Sequence, residues 1–337
     1  MYLVTGVAGF IGSSIAKALL QRGDSVRGID NFATGKRENL EGLIGLDFIE
    51  GDLRDAATCQ RACSGITYIF HEAALPSVPR SVKDPFESHD VNVTGTVRLL
   101  VAARDARVKR IVYAGSSSAY GNTPTLPKHE QMSPNPISPY AVSKLAGEQY
   151  LSSFYQVFGL ETVTLRYFNV FGPHQDPSSM YSGVLAKFIS MMLGGKQATI
   201  YGDGEQSRDF TFIANVVHGN LLAANAPAGE VAGRVFNVAN GKRQTLNETY
   251  RILQKLTGYQ GEPKYEEMVT TIHDTVLKAG LKLGGPLAWK NRAGFSFFQG
   301  PGETALIKLG APVSLGTAPT VGRAKPSGIA PLEGTEK

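Results

Sequence analysis

One feature constrains the fold of this chain more than any other: apolar runs alternate regularly with helix-like stretches. The runs "YLVTG", "SVRGID", "GLDFIEGD", "ITYIFHEAA", "RIVYAGSS" and "ETVTLRYFN" read as strands, and segments such as "SSIAKALLQRG" and "TVRLLVAARDA" between them read as helices. Strands this apolar are buried on both faces. The alternation therefore predicts an α/β fold, a doubly wound parallel sheet with helices on both sides. Each run closes on Gly, Asp, Ser, Asn or Ala. Sheets of this type bind ligands beyond the carboxyl ends of their strands, so chemistry is expected at those residues.

After about Phe171 the pattern changes to a long polar loop, "GPHQDPSSMYSG", a helix near Leu185 to Leu193, the stretch "ATIYGDGEQSRDFTFI" and an apolar helix from Val216. Segments so short and scattered predict a smaller, interleaved C-terminal substrate domain. The expected division is 1–170 as one domain with 210–235 returning to it, and 171–209 with 236–337 as the other. From about residue 266 the periodicities fade, and beyond Leu283 the chain is rich in Gly, Pro, Ala and Thr, an atypical tail.

Composition excludes several classes. The 337 residues are 42% hydrophobic and 9% aromatic, as in globular proteins. The net charge of +5 comes from Lys and Arg spread along the chain, with no basic run for nucleic acid. Cys59 and Cys63 are the only cysteines, with no His cluster to complete a metal site, so no metal is expected and free thiols in a reducing cytoplasm are. The opening "MYLVTG" lacks a basic signal region, and the longest uncharged run, Phe210 to Gly229, is too polar for a membrane span.

"VTGVAGFIGSS" sets Gly6, Gly9 and Gly12 after the first strand and at the opening of the first helix. Glycines there let backbone approach a pyrophosphate met by free helix amides, although a tight turn with close helix packing fits the same spacing. Asp30 closes the second strand, where a carboxylate accepts from adenosine ribose hydroxyls and repels a 2′-phosphate. That favours NAD over NADP, against which Lys36 and Arg37 stand in the next loop. "GDLRD" brings Asp52 and Leu53 to an adenine position, and Asp52 also suits a helix cap. "HEAAL" offers small Ala73 and Ala74 beside the cofactor.

In "ISPYAVSKLAGEQY", Ser138 caps a helix that has Pro139 at its first position. Tyr140 and Lys144 then project from one face. They suit a helix surface, or a base: lowering a tyrosine from about 10 toward 7 takes roughly 4 kcal/mol. One cation at about 5 Å supplies about 3 kcal/mol at an effective dielectric of about 20, so Lys144 and an oxidised nicotinamide together suffice. The fifth strand delivers Ser116, Ser117 and Ser118, which form a serine-rich turn or a hydroxyl that relays a proton.

"SVPRS", "SSSAYG", "SPYAVSK", "RYFNVFGP", "QDP" and "GDGEQSRDF", in this order over about Met1 to Tyr265, resemble the extended short-chain dehydrogenase/reductases and more closely the UDP-hexose 4-epimerases. The likeness is to the branch acting on UDP-N-acetylglucosamine and UDP-glucose. The resemblance implies a Rossmann-like fold and a triad of Ser116, Tyr140 and Lys144, with Ser117 and Ser118 lining the sugar pocket. It implies NAD contacts from Phe10, Ile11, Asp30, Asn31, Asp52, Leu53, Ala73, Ala74, Asn92 and Phe168, beside the glycine turn. Asn169 and Arg208 match positions holding the nucleotide diphosphate, and Gly183 leaves room for an N-acetyl group. A homodimer is implied through the helices after "DVNVTGT" and "SPYAVSK". So is epimerisation at C4 of a UDP-sugar through a 4-keto intermediate, with Tyr140 as base. A UDP-glucuronate 4-epimerase using Arg80, a nucleotide-sugar dehydratase or decarboxylase, and a non-catalytic NAD-binding protein are the alternatives. After the Tyr265 region relatives carry an Arg-rich "GDV"-like segment, where this chain reads "YEEMVTTIHDTVLKAGLKLGG". A frameshift would produce such a break, and translation of the other reading frames would then recover the family ending.

Overall fold

The computed structural model describes residues 1–176 and 183–267, all within one compact unit, Met1–Met268. The atypical tail expected from about residue 266 lies almost wholly outside the described residues.

The first part of the chain runs β1 (Tyr2–Thr5), α1 (Phe10–Gln21), β2 (Val26–Asp30), β3 (Asp47–Glu50), α2 (Ala56–Cys63), β4 (Tyr68–His71), α3 (Val78–Lys83), α4 (Pro85–His89), α5 (Gly95–Asp105), β5 (Arg110–Ser116), α6 (Pro139–Phe158) and β6 (Glu161–Tyr167). It continues through β7 (Asn169–Phe171), α7 (Val184–Leu193), β8 (Thr199–Tyr201), β9 (Ser207–Phe212), α8 (Ile213–Asn225), α9 (Ala228–Val231), β10 (Arg234–Val238), β11 (Arg243–Thr245), α10 (Leu246–Thr257) and β12 (Lys264–Glu266). Seven strands form one sheet in the order β10-β6-β5-β4-β1-β2-β3. Every pairing in it is parallel. The order reverses direction at β1, which leaves a crevice beyond the carboxyl ends of β1 and β4.

Both faces of the sheet are covered, which is why its inner strands are largely buried. Leu3, Ile69, Ile111 and Tyr113 pack with Cys59, Leu99, Leu151 and Phe154 of α2, α5 and α6. On the other face Val4, Phe70, Val112 and Leu165 pack with Ile15, Leu19, Val216 and Ala223 of α1 and α8. Cys59 and Cys63 are free thiols buried on α2, where burial pushes them up to about 11 and about 12.

A third apolar cluster joins Phe188 and Met192 of α7 to Ile200, Tyr250 and Leu253. Around it lie a three-stranded sheet, β11-β9-β7, and a two-stranded one, β12-β8. Between β9 and β11 the chain goes back to the large sheet, laying α8 on α1 and pairing β10 with β6. Among the described residues no helix is long and apolar enough to cross a membrane.

Candidate active site

The glycine turn is built by close approach. Gly6 has φ +66°, and a Cβ there would stand 2.8 Å from the backbone of Ala73. A Cβ on Gly12 would stand 2.2 Å from the Gly6 carbonyl oxygen, so α1 can rest on the turn only without one. Gly9 caps α1 with no side-chain hydrogen bond, which leaves the first-turn amides at Phe10 and Ile11 facing a cleft of about 400 Å³.

Asp30 is 9% exposed at the end of β2. Its carboxylate accepts from the Ala8 amide at 2.9 Å and the Phe32 amide at 2.8 Å, tying the glycine turn to the strand end. Burial raises its pKa and these amides pull it back. Asn31 donates to Asp52 at 2.8 Å, and Arg54 clasps the same carboxylate at 2.7 Å, holding Asp52 down at about 2. The cap of α2 is Asp55, not Asp52. Leu53 lines the cleft beside them.

The two cations that stood against NAD both have carboxylate partners. Lys36 pairs with Asp176 at 2.9 Å; Arg37 pairs with Glu50 at 2.9 Å and lies 4.0 Å over the Phe32 ring. Ala73 and Ala74 line the cleft with the glycine turn, and Asp30 and Asp52 line it at the strand-two end beside Lys36 and Arg54. These residues fit NAD: a backbone cradle that a Cβ would fill, amides for a pyrophosphate, and carboxylates at a ribose position.

The other residues expected from the sequence fall into three places. Gly183 lines the cleft, and a Cβ there would meet Gln175 at an ordinary 3.4 Å. Ser116, Tyr140 and Lys144 gather at the end of β5 and the start of α6. Asn169 and Arg208 stand on β7 and β9: Asn169 donates to the Asp209 carbonyl at 3.0 Å, and Arg208 is exposed and donates to the Ser207 carbonyl. Asp209 accepts from the amides of Asn240 and Gly241. Among the described residues, the lining of the cleft includes none of Ser116, Tyr140, Lys144, Asn169 and Arg208.

The reaction cluster is positioned by helix capping and by one glycine. Ser138 accepts from the Ala141 amide at 3.1 Å and Pro139 opens α6. A Cβ on Gly147 would stand 2.3 Å from the Tyr113 hydroxyl, so the helix reaches β5 because residue 147 has none. Lys144 is thereby buried, its Nζ 4.3 Å from the centre of the Tyr113 ring. Burial lowers it to about 8, and the carboxylate of Glu72 opposes that shift. Tyr140 keeps part of its surface accessible, yet its surroundings raise its pKa, while the Ser116 hydroxyl beside it pulls the other way. Ser116 Oγ lies 2.7 Å from Ser118 Oγ, with Ser117 between them.

Asn92 is buried, accepting from the Leu75 amide at 2.7 Å and donating to Ser143 Oγ at 3.0 Å, so it ties the chain after β4 to α6. Phe168 follows β6, its ring 6.4 Å from that of Tyr120. Sequence reasoning missed Glu72, although it stands inside "HEAAL". It lines the cleft, accepts from the Tyr167 hydroxyl at 2.8 Å, and burial pushes it up to about 7. A carboxylate at the end of an otherwise apolar strand was the available signal.

This arrangement defines a class, an NAD-dependent α/β enzyme with a Ser, Tyr and Lys cluster. A sequence model of the NAD dependent epimerase/dehydratase family matches residues 2–239. The UDP-glucose 4-epimerase of Mycolicibacterium smegmatis is 41% identical over 268 residues, 78% of this chain and 84% of that protein. The structure of the Thermotoga maritima UDP-glucose 4-epimerase with UDP-glucose superposes with a TM-score of 0.76 at 37% identity, covering 80% of this chain and 86% of that one. The UDP-N-acetylglucosamine 4-epimerase of Methanobrevibacter ruminantium, in complex with UDP-N-acetylmuramic acid, gives 0.76 at 39% over the same shares. The chain belongs to the NAD-dependent epimerase/dehydratase family. It is an NAD-dependent epimerase, an isomerase.

Proposed function

We propose that this protein inverts C4 of a UDP-hexose, interconverting UDP-GlcNAc with UDP-GalNAc or UDP-Glc with UDP-Gal, with Tyr140 as base. The observation that carries the reading is the Tyr140 phenol beside the Ser116 hydroxyl, one helical turn from the buried Lys144. Bound NAD supplies a hydride acceptor and donor at C4. Gly6, Gly9 and Gly12 would admit it, and Phe10, Ile11, Asp30, Asn31, Asp52, Leu53, Ala73, Ala74, Asn92 and Phe168 would hold it. Tyr140 takes the proton of the sugar O4 as the ketone forms and returns it after the 4-keto sugar has turned over. Ser116 holds O4 beside the phenol, and Lys144 stabilises the phenolate. Ser117 and Ser118 contact the sugar, Asn169 and Arg208 hold the diphosphate through amide and guanidinium, and Gly183 leaves room for an N-acetyl group.

The domain division at 170, with 210–235 returning, goes with this reading. So does a cytoplasmic homodimer through the helices after "DVNVTGT" and "SPYAVSK", the second of which, α6, exposes Val142 and Tyr150. The test incubates the purified protein with UDP-GlcNAc, UDP-Glc and UDP-glucuronate and resolves products by chromatography. Epimers of the first two, with NAD still bound, are expected. Turnover of the glucuronate alone would transfer the reading to that sugar acid, with Arg80 as carboxylate partner. Bound NAD with no product from any of the three would make the protein a binder.

A further inference from the structure

Ser143 stands between Tyr140 and Lys144 on α6 and takes no part in the proposed reaction, yet it is 3% exposed and its hydroxyl is bonded on both sides. It donates to the Tyr140 carbonyl at 2.8 Å and accepts from Asn92 Nδ2 at 3.0 Å. Asn92 lies in a single π-helical turn, Asp90–Thr94, between α4 and α5, and such turns are frequent at functional sites. Its side chain grips the chain after β4 much as a neighbouring peptide would: Oδ1 accepts from the Leu75 amide at 2.7 Å, and Nδ2 donates to the Leu75 carbonyl at 3.4 Å. Leu75 lines the cofactor cleft with Ala73 and Ala74. A short run of hydrogen bonds thus joins the cleft wall to the backbone of Tyr140.

A second run, with a single direction, anchors this bridge in the sheet. Thr96 donates to the Asn92 carbonyl at 2.7 Å, so its oxygen accepts from His71 Nε2–H at 2.9 Å. His71 Nδ1 then accepts from the Thr5 hydroxyl at 2.8 Å, and the Thr5 oxygen accepts from the Ala73 amide at 3.1 Å. Thr5, His71, Asn92 and Thr96 are all buried, so no water replaces a bond lost among them. Ala73 and Leu75 are therefore both held, and Asn92 carries their position to α6.

We propose that Ser143 is a positioning residue for the reaction: through Asn92 it fixes the Tyr140 backbone relative to the cleft wall at Leu75. The effect on turnover rests on the 4-epimerase reading, while the link between α6 and the cleft wall does not. Tyr140 lies in the first turn of α6, and helix ends fray. Ser138 secures that turn at the Ala141 amide, and Ser143 secures it at the Tyr140 carbonyl. The reacting sugar carbon has to lie between the phenol and the cofactor, which are carried by different elements. A displacement of about 1 Å between them costs up to about 10²-fold in rate.

The test compares Ser143→Ala, which removes the hydroxyl, with Ser143→Thr, which keeps a hydroxyl able to bond the carbonyl three residues back. Steady-state kinetics on UDP-Glc and UDP-GlcNAc are recorded on the holoprotein, together with hydrogen exchange at the Leu75 amide. The Val112 amide of β5 serves as the measure of global opening. Ser143→Ala should lower kcat about ten- to a hundredfold with KM and bound NAD nearly unchanged. It should also speed exchange at Leu75 about three- to tenfold relative to Val112. Ser143→Thr should recover most of both losses. Leu75 exchange unmoved by Ser143→Ala overturns the proposal, and so does a Ser143→Thr protein no better than Ser143→Ala, which would make the loss one of packing. Leu75 exchange that responds in a protein whose wild type epimerises neither sugar leaves the link standing and sinks the 4-epimerase reading instead.

Discussion

Lys36 and Asp176 form an ion pair at 2.9 Å that joins the loop after β2 to the loop after β7, and both residues line the cofactor cleft. The loop bearing Lys36 is also tied to the glycine turn, through the Lys36 amide and the Asn39 side chain on the Ala8 carbonyl. Breaking the pair should therefore loosen the cofactor without touching the chemistry. Both partners are part-exposed, so about 0.5–1 kcal/mol is at stake. Lys36→Met or Asp176→Asn should speed NAD release about two- to fivefold at low salt, with unchanged turnover at saturating NAD. Reversing both charges together should restore retention, and a double reversal no better than either single one would refute the link.

Tyr140→Phe should lower turnover by about 10²- to 10⁴-fold, the usual contribution of a general base. Lys144 and the glycine turn are untouched, so NAD should stay bound. Ser116→Ala should act through the pH profile. The Ser116 hydroxyl pulls the Tyr140 phenol down, so without it the acid limb of kcat/KM should move to higher pH. Substantial epimerisation by Tyr140→Phe would refute the assignment.

His71 is 1% exposed and lies between Thr5 Oγ1 at 2.8 Å and Thr96 Oγ1 at 2.9 Å. Burial, with the Lys144 charge adding to it, lowers its pKa to about 3 from an ordinary 6.5. The unfolded chain thus binds one more proton between those values, and the stability due to a neutral His71 is complete above pH 6.5 and lost as pH falls toward 3. Denaturant unfolding at pH 4.5, 5.5 and 6.5 should show the dependence on pH reduced in His71→Gln by about 1.4 kcal/mol per pH unit. Parallel curves for the two proteins would show that this histidine does not titrate on unfolding.

The glycines of the turn should rank by the space a Cβ would find. At Gly12 it would stand 2.2 Å from the Gly6 carbonyl oxygen, and at Gly9 3.1 Å from the same atom. Gly12→Ala should destabilise cofactor-stripped protein by about 2 kcal/mol or more and abolish NAD binding by calorimetry. Gly9→Ala should be milder on both measures. Equal effects would mean that the turn is not held by this contact.

Five of the six strands read from apolar runs lie where the sequence places them because burial on both faces leaves a continuous apolar stretch, while β3 is an edge strand with Asp47 and Glu50 exposed. β10 escaped that reading. "RVFNV" occupies a half-buried edge, and its place beside β6 depends on a chain path no local pattern encodes. The glycine turn, Asp30 and the Ser138 cap were legible because each is a local geometric demand. Glu72, His71 and the Arg166–Glu148 pair were not, because each depends on elements brought together only by folding. The same limit explains Lys36 and Arg37: their charge was visible in the sequence, but Asp176 and Glu50 as their partners were not.

The order of the large sheet also bears on how the protein is made. β6 is complete when residue 167 leaves the ribosome, but the strand that covers its outer edge is residues 234–238. During synthesis the nascent sheet therefore presents an apolar open edge, Val163, Leu165 and Tyr167 among its residues, while the α7 region is still being translated. A slow stretch of codons ahead of β10 would prolong that exposure. Until β10 emerges, the β6 edge is therefore open to pairing with another strand.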